Sequence, residues 1–379
     1  TEMAAIGAAR AAGFGDKNKA DKAAVKAMRE FFNEVDFNGR VVIGEGEKDE
    51  APMLYIGEKL GTGKGKAVDI AVDPLENTTA TSKLDGRAIC VLAASEKGGL
   101  FHGPEMYMDK LVVGREAKGK VYLDEKPKNN LKVIAKALDR EIRDLVVVIL
   151  DRDRHEELVA RVREAGARVR LVPAGDLTPG IAACMRGTGV HAVMGIGGAP
   201  EGVLTAAAMQ CLGGEIQGRY WPKNEEQVKK MKRLKMDRNK IYSQDELASG
   251  KDIIFCATGV TDGNLLKGVR FFGGGARTHS LVMSTSSGAS FMTGFNQLYY
   301  SFSPTIADYE RENPMFQEAV RAFITPMVST LSIMTLADTN SETDVLGLGI
   351  SVIMLNLGMY IAAPAFIGIK SYKHFKSRK

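Results

Sequence analysis

The stretch DIAVDPLENT, residues 69–78, joins an apolar strand pattern to clustered acids and a hydroxyl group. Because side chains alternate in direction along a strand, we expect Asp69 and Asp73 on one face. Pro74 lacks an amide hydrogen and is expected to end the strand. The chain can then turn so that Glu76 returns toward Asp73. This arrangement predicts a site where several carboxylates meet.

A divalent cation is the simplest explanation for acids packed so closely. Two carboxylates about 4 Å apart repel by roughly 4 kcal/mol at an effective dielectric near 20. A hard cation such as Mg²⁺ removes that repulsion and binds substrate phosphate as well. Thr78 is a candidate to orient an attacking water, with a buried capping threonine as the alternative. Asn77 is expected to adopt a left-handed backbone, which asparagine tolerates. A second acidic string, GEGEKDE at 44–50, has a solvated loop as its alternative.

The pattern around these strings predicts an α+β first half and an α/β second half. In the first half we expect helices at 1–12 and 21–32 and strands at 40–44, 67–72 and 88–94. In the second half we expect strands at 145–150, 168–172, 191–195 and 252–257, and helices at 154–165, 178–185 and 200–212. This alternation predicts a parallel sheet covered on both faces. Ligands gather at the carboxyl ends of such strands, where Asp151, Asp176 and Glu201 fall.

Length and composition bound the number of domains and the class of partner. A chain of 379 residues favours two core domains and an appendage, which we predict at 1–130, 131–287 and 288–379. The net charge is +5, with no Lys/Arg block that carries interleaved aromatic residues. Nucleic acid is therefore not expected as a partner. The cysteines, Cys90, Cys184, Cys211 and Cys256, lack C-x-x-C spacing and indicate a reducing compartment.

Seven motifs carry a resemblance to a known family. DPLENT at 73–78 resembles the D-P-[IL]-[DE]-G-T signature of the lithium-sensitive phosphatase superfamily. The other motifs are similar to class II fructose-1,6-bisphosphatases, and together they extend the resemblance over residues 1–287. They are GDKN at 15–18, VIGEGE at 42–47, MYMDKL at 106–111, GIGGAPEG at 195–202, ATGVTDG at 257–263 and THSL at 278–281.

The resemblance implies a layered αβαβα fold and hydrolysis of the C1 phosphate of fructose 1,6-bisphosphate to fructose 6-phosphate, in gluconeogenesis. It implies Mg²⁺ or Mn²⁺ as cofactor, and we expect a homo-oligomer. The implied metal ligands are Asp21, Glu45, Asp73, Glu76 and Glu201. The implied catalytic residues are Thr78, Glu76 and Asp73. The implied substrate contacts are Lys17, Glu76, Asn77, Thr78, Tyr107, Arg152, Asp153, Arg154, Ala174, Gly175, Asp176 and Gly198. A guanidinium group matches phosphate oxygens with a planar fork of donors, which suits Arg152 and Arg154 to a bisphosphate.

The chain departs from the family pattern at four places, which leaves alternative functions open. Asn77 replaces a glycine, Phe14 replaces an arginine, Ala174 stands where aspartate is common, and 84–87 is bulkier than usual. One alternative is a phosphatase acting on sedoheptulose bisphosphate or an inositol phosphate. Another is a membrane-associated subunit with a retired site. The intact acids argue against retirement, because clustered acids without a metal cost stability.

The tail lacks phosphatase motifs and resembles the membrane-proximal tails of prokaryotic surface proteins. Residues 345–369 form 25 uncharged positions, enough to span about 30 Å of hydrocarbon as a helix. A buried helix or an oligomer contact is the alternative. The basic residues that follow are expected in the cytoplasm, which conflicts with a cytoplasmic phosphatase unless 322–337 also crosses. We expect a cytoplasmic catalytic region, with anchoring through the tail as an option.

Overall fold

The computed structural model describes residues 1–46, 53–273 and 275–286, together with the backbone of 290–293 and 299–300. Residues 1–301 form one compact unit, to which all of the described residues belong. The predicted membrane helix at 345–369 lies outside the described residues, as does nearly all of the predicted tail at 288–379. In the described part of the chain, no helix combines the length and the apolar character needed to span a bilayer.

The described residues contain α-helices and β-strands in alternating groups. The helices are α1 (Glu2–Arg10), α2 (Lys17–Phe32), α3 (Thr78–Ser82), α4 (Pro127–Ala137), α5 (Glu156–Glu164), α6 (Leu177–Ala183), α7 (Ala199–Leu212), α8 (Glu225–Arg233) and α9 (Gln244–Leu247). The first strands are β1 (Asn38–Ile43), β2 (Lys59–Leu60), β3 (Ala67–Glu76), β4 (Ile89–Glu96), β5 (Tyr107–Val113), β6 (Val146–Leu150), β7 (Arg168–Val172) and β8 (Ala192–Gly198). The remaining strands are β9 (Glu215–Trp221), β10 (Tyr242–Ser243), β11 (Ile254–Gly259), β12 (Arg270–Phe272), β13 (Gly275–Arg277), β14 (Ser280–Ser284), β15 (Ser290–Thr293) and β16 (Tyr299–Tyr300).

These strands form two large sheets and one small one. The first sheet has the order β15-β14-β11-β4-β3-β1-β2, and only its β1–β3 pair is parallel. The second has the order β10-β9-β5-β8-β6-β7 and is parallel only across β8-β6-β7. The small sheet is β12-β13-β16. The two sheets do not divide at residue 130. Strand β5 precedes that residue but belongs to the second sheet, and β11 follows it but belongs to the first. The domain boundary at 130 stays a prediction.

The prediction of a parallel sheet for the second half is wrong in two respects. The second sheet is mixed, because β5 and β9 run antiparallel to their neighbours. The strand predicted at 252–257 is β11, which pairs antiparallel with β4 and β14 in the first sheet. A continuous apolar run indicates burial on both faces of a strand, but it specifies neither the neighbour nor the direction.

Apolar side chains divide into three clusters that separate the layers. Helices α1 and α2 pack on the outer face of the first sheet, and α4 and α5 pack on the outer face of the second. The largest cluster lies between the two sheets and contains α6 and α7. Helix α7 is apolar on nearly every side and is buried on nearly every side, as expected of a helix inside a protein core. The result is a mixed α/β structure of alternating helix and sheet layers.

The turn from β3 into α3 differs from its prediction at one residue. Pro74 does not end the strand: β3 continues to Glu76, and its register against β4 shifts between Asp73 and Glu76. Such a bulge bends the strand and re-aims the next side chains. Asn77 is left-handed as expected, with φ 72°, and its side chain accepts a hydrogen bond from the Ala80 amide at 3.3 Å. Asn77 therefore both makes the turn and caps α3.

The two roles of Asn77 are separable by substitution. Asn77→Ala loses the cap and strains a left-handed backbone, so we expect a loss of about 1–2 kcal/mol in the free energy of unfolding. Asn77→Gly also loses the cap but relaxes the backbone, so we expect a loss of less than about 1 kcal/mol. Equilibrium urea unfolding measures both, with the exposed Thr79→Ala as control. Equal stability of the alanine and glycine variants would contradict this account.

Candidate active site

The carboxylates expected to bind metal come from separate elements that meet at one edge of the two large sheets. Asp21 lies on α2, and Glu45 follows β1. Asp73 and Glu76 lie on either side of the bulge in β3, and Glu201 lies in the first turn of α7. These side chains are close enough for the charge of one carboxylate to raise the pKa of another.

Glu76 and Asp73 are the most strongly perturbed members of the group. Burial raises the pKa of Glu76 to about 8, helped by the negative charges of Asp176 and Glu201. Burial also raises the pKa of Asp73 well above its usual range, with further contributions from Glu76, Glu201 and Glu45. Both groups thus resist ionisation in the absence of a cation.

Glu45 and Asp21 extend the electrostatic interaction between the carboxylates toward α2. Burial raises the pKa of Glu45 to about 7, with contributions from Asp21 and Glu105. Burial alone raises the pKa of Asp21, and burial also raises that of Glu201. The acids therefore form one electrostatically connected group from Asp21 to Glu201.

Three carboxylate oxygens in this group are buried and make no hydrogen bond of full geometry in the described structure, although the Leu177 amide is close enough to Glu76 to lower the pKa of that carboxyl group. They are both oxygens of Glu76 and Oε2 of Glu201. Buried polar atoms are almost always paired, so these atoms point to a ligand. A Cβ added at Gly198 would lie only 1.9 Å from Glu201 Oε2. The glycine thus leaves room for the carboxylate against the backbone.

The spacing of the acids limits what kind of metal site they can form. Over the described ranges, no three Asp, Glu, His or Cys side chains are grouped closely enough to hold one metal ion. Mg²⁺ commonly uses one or two carboxylates, several waters and substrate phosphate. The unpartnered oxygens and the all-oxygen donor set fit an ion of this kind. They favour ions held by few carboxylates each over a cage made entirely by the protein.

A buried lysine that the sequence reading missed lies beside these acids. Lys110 is 2% exposed, and its Nζ is 2.5 Å from Asp176 Oδ2 and donates to the Gly198 carbonyl at 2.9 Å. Its positive charge lowers the pKa of Glu201 and of Glu76, which opposes the effect of burial. Its burial could have been predicted from its position in β5, because side chains two residues apart in a strand share a face and those of Met108 and Val112 are apolar.

The predicted loop 174–176 lies next to Glu76. A Cβ added at Gly175 would lie 3.7 Å from the Glu76 carboxyl group, and Gly175 has φ +79°. Asp176 is buried by its contact with Lys110. Ala174 is half-buried in the same loop. The structure thus brings this predicted substrate loop to the carboxylate group.

Thr78 and Lys17 lie on neighbouring segments at the edge of the group. Thr78 is half-buried at the start of α3, and no partner for its hydroxyl group is seen among the described residues. Lys17 is exposed at the start of α2. The turn before it is held to the end of α3 by amide bonds from Gly13 to Thr81 and from Gly15 to Ser82, at 3.0 and 2.9 Å. This turn keeps the start of α2 beside the end of α3.

Of the remaining predicted residues, Arg154 lies at the ring of Tyr107, away from the carboxylates. The Arg154 guanidinium carbon lies 4.8 Å from the centroid of the Tyr107 ring. Arg152 and Asp153 are exposed, and Arg152 Nη1 donates to the Asp151 carbonyl at 2.6 Å. Within the described residues, neither Arg152 nor Asp153 contacts the carboxylates.

Comparison with known proteins identifies the relatives of this chain. Residues 1–293 match the family described as bacterial fructose-1,6-bisphosphatase, glpX-encoded. A D-fructose 1,6-bisphosphatase class 2/sedoheptulose 1,7-bisphosphatase of a Synechococcus species is 50% identical over 311 residues, covering 76% of this chain and 90% of the relative. The proteins of the same name from Synechococcus elongatus and Gloeobacter violaceus are 48% and 47% identical, with the same coverage.

The raised pKa of Glu76 predicts how the metal-free protein responds to pH. The folded pKa of about 8 exceeds the ordinary 4.5, so the stability that protonation supplies is complete below about pH 4.5 and is lost as pH rises through 8. We expect the melting temperature in EDTA to fall between about pH 6 and 8. In Glu76→Gln the fall should be smaller, and at pH 8 this variant should be the more stable protein by at least about 1 kcal/mol.

Differential scanning calorimetry in EDTA measures this effect, with the exposed Glu34→Gln as a control for the loss of one charge. Added divalent ion should stabilise the wild type more than Glu76→Gln, because binding to the native state adds stability. A pH profile of Glu76→Gln that matches the wild type would rule out this role of Glu76.

Proposed function

Because this chain belongs to the bacterial, glpX-encoded fructose-1,6-bisphosphatase family over residues 1–293, it is a phosphoric monoester hydrolase that converts fructose 1,6-bisphosphate to fructose 6-phosphate, and we propose that the carboxylate group is its catalytic centre. The observation that carries this proposal is the set of buried, unpartnered oxygens on Glu76 and Glu201. Such oxygens are suited to a divalent ion that also binds a phosphate group.

The family is metal-dependent, and we propose Mg²⁺ or Mn²⁺ as the ion. The residues that would hold such ions, with few carboxylates to each ion, are Asp21, Glu45, Asp73, Glu76 and Glu201. When bound, such ions stabilise the charge on the attacking and leaving oxygens of phosphoryl transfer. The buried ammonium group of Lys110 complements the same negative region from the protein side.

Thr78 is proposed to orient the attacking water. Its hydroxyl group is half-buried and follows Glu76 by two residues. The left-handed turn at Asn77 fixes the start of α3 and therefore the hydroxyl position. Asp73 or Glu76 then accepts the proton of the water as its oxygen attacks phosphorus. The bond between phosphorus and the bridging C1 oxygen breaks, and that oxygen leaves with the sugar as a hydroxyl group, taking its proton from solvent water.

The other predicted residues are proposed to bind the substrate. Lys17 begins the helix that is held beside α3 and is assigned to the C1 phosphate. Gly175, Asp176 and Gly198 lie beside the carboxylates, where the sugar would be held, and Ala174 is proposed in the same loop. Asp153 is proposed as a substrate contact on the segment of Arg152 and Arg154. The phosphate that is not cleaved is assigned to Tyr107, Arg152 and Arg154. Arginine suits this role because its planar fork matches phosphate oxygens.

Sedoheptulose 1,7-bisphosphate is proposed as a second substrate. The observation that favours it is the name of the curated relatives, which carry both activities at up to 50% identity. Both sugars present a phosphate at each end, so the same pair of phosphate sites would serve both.

We also propose that residues 1–130 and 131–287 are two domains of the αβαβα fold of the lithium-sensitive phosphatase superfamily. The helix and sheet layers described above support this proposal. The tail at 288–379 is proposed as a separate segment that can associate with a membrane through 345–369. The end of the family match at 293 is consistent with that boundary.

A cytoplasmic catalytic region, a gluconeogenic role and a homo-oligomeric state are proposed for the protein. The cysteines of the described residues are all free, which suits a reducing compartment. Sugar bisphosphates are charged and remain in the compartment where they are made. Protease protection of residues 1–287 in membrane and soluble fractions distinguishes a cytoplasmic catalytic region from an external one.

Phosphate release tests the proposed function directly. The purified chain should release phosphate from fructose 1,6-bisphosphate with Mg²⁺ or Mn²⁺ and lose that activity in EDTA. The same assay with sedoheptulose 1,7-bisphosphate tests the second substrate. Activity that survives EDTA and full dialysis would overturn the metal-dependent centre.

Thr78→Ala separates chemistry from binding. Loss of a group that orients the nucleophile is expected to lower kcat by about 10²- to 10⁴-fold, with little change in the dissociation constant of fructose 6-phosphate. Thr78→Ser keeps the hydroxyl group and should retain much of the activity. Steady-state kinetics and calorimetry provide the two readouts. Near-normal kcat in Thr78→Ala would remove this residue from the mechanism.

A further inference from the structure

Two cations from distant parts of the chain meet at one aromatic ring. Tyr107 begins β5, and its ring centroid lies 4.8 Å from the guanidinium carbon of Arg154 and 4.7 Å from Nζ of Lys223. Each cation is attracted to the ring, but the two positive charges repel each other. An anion bound between them would remove that repulsion.

Arg154 has a buried donor left over for such an anion. Its Nη2 donates to the Ile196 carbonyl at 2.8 Å, whereas its Nε is buried and without a partner in the described structure. The neighbouring His155 fixes this segment, because its Nδ1 is 2.7 Å from the Leu150 carbonyl and its Nε2 accepts from the Ile196 amide at 2.7 Å. The guanidinium group is therefore held in place with an unused N–H.

Lys223 is held at the backbone and free at its ammonium group. Its amide donates to Gln227 Oε1 at 2.8 Å, and the adjacent Asn224 caps α8 by accepting from the Gln227 amide at 2.9 Å. The side chain is exposed and, over the described ranges, is not paired with a carboxylate. The cation is thus presented at a fixed point without its own counter-ion.

The backbone that carries the ring lies next to the backbone beside the carboxylate group. Tyr107 pairs directly with Gly198 across β5 and β8. The Gly198 carbonyl accepts from Lys110, and its backbone is packed under the Glu201 carboxylate. The cationic group and the carboxylate group are therefore both built at the end of one strand pair.

We propose that Lys223 is a specificity-determining residue that binds, with Arg154 and Tyr107, the phosphate that is not cleaved. This proposal rests on the proposed function of the carboxylate group. Lys223 supplies the second cation at the ring, while the Arg152 guanidinium is exposed and bonded to the Asp151 carbonyl. The bisphosphate preference of the enzyme thus depends on a lysine after β9 that no motif of the sequence singled out.

Three single variants test this role. Lys223→Met removes the charge and keeps the length, Lys223→Arg restores a cation, and Lys229→Met removes a charge from the exposed face of the nearby α8. Loss of one charge-assisted contact to phosphate corresponds to about a tenfold loss of affinity. We expect Lys223→Met to raise KM for fructose 1,6-bisphosphate about tenfold, with kcat changed less than about twofold. Lys223→Arg and Lys229→Met should stay near the wild-type KM.

Binding of fructose 6-phosphate, which keeps the uncleaved phosphate, gives a readout without catalysis. Calorimetry should show that the dissociation constant of fructose 6-phosphate is about tenfold larger for Lys223→Met than for the wild type. Arg154→Met and the double variant complete a cycle, in which two residues on one phosphate give non-additive losses. Unchanged melting temperatures exclude misfolding as the cause.

The outcomes separate this inference from the proposed function. If the wild type releases phosphate but Lys223→Met matches Lys229→Met in KM and in fructose 6-phosphate affinity, the role of Lys223 is refuted. Strictly additive losses in the cycle would also refute a shared phosphate. If the wild type releases no phosphate, the proposed function fails, and calorimetry still reports whether Lys223 binds the sugar phosphate.

Discussion

The mutual repulsion of buried carboxylates is the constraint on which the rest of the structure depends. Acids from α2, the loop after β1, β3 and α7 converge so closely that burial and neighbouring charge raise the pKa of each of the central ones. The chain opposes this with one buried cation, Lys110, and with glycine at 197 and 198, where any side chain would strike a carboxylate. The protein thus keeps a costly arrangement, which the proposed binding of cations and phosphate would offset.

Much of the fold could be predicted from local pattern, and its errors have a common cause. The helix and strand positions and the left-handed turn at Asn77 are confirmed, because spacing and backbone preference are local properties. The family assignment from motifs is confirmed over residues 1–293. The sheet assignment of β11 was wrong, and so was the strand end at Pro74. Both depend on which strand lies alongside, which a single apolar run does not encode.

The candidate site was harder to predict from sequence than the fold. Motif positions located the acids and Tyr107, since each lies in a recognisable string of residues. Lys110 was missed as a partner although it lies in one of those strings, because only burial shows that it pairs with Asp176. Lys223 lies in no motif, and its contact with Tyr107 requires that β9 pair with β5. As with the sheets, this contact depends on the pairing of strands that are distant in sequence, which a local pattern does not predict.

The pairing of β5 with β8 explains why the two groups of charges can act on one molecule. Tyr107 and Gly198 are partners across this pair, so the cationic group and the carboxylate group are built on adjacent backbone positions. One group carries negative charge that requires cations, and the other carries positive charge that requires an anion. A sugar with a phosphate at each end meets both demands only through a bound cation: one phosphate binds the cationic group, and the other binds a divalent ion that the carboxylates hold. On the proposed function, selectivity for a bisphosphate follows from these two neighbouring sites of opposite charge.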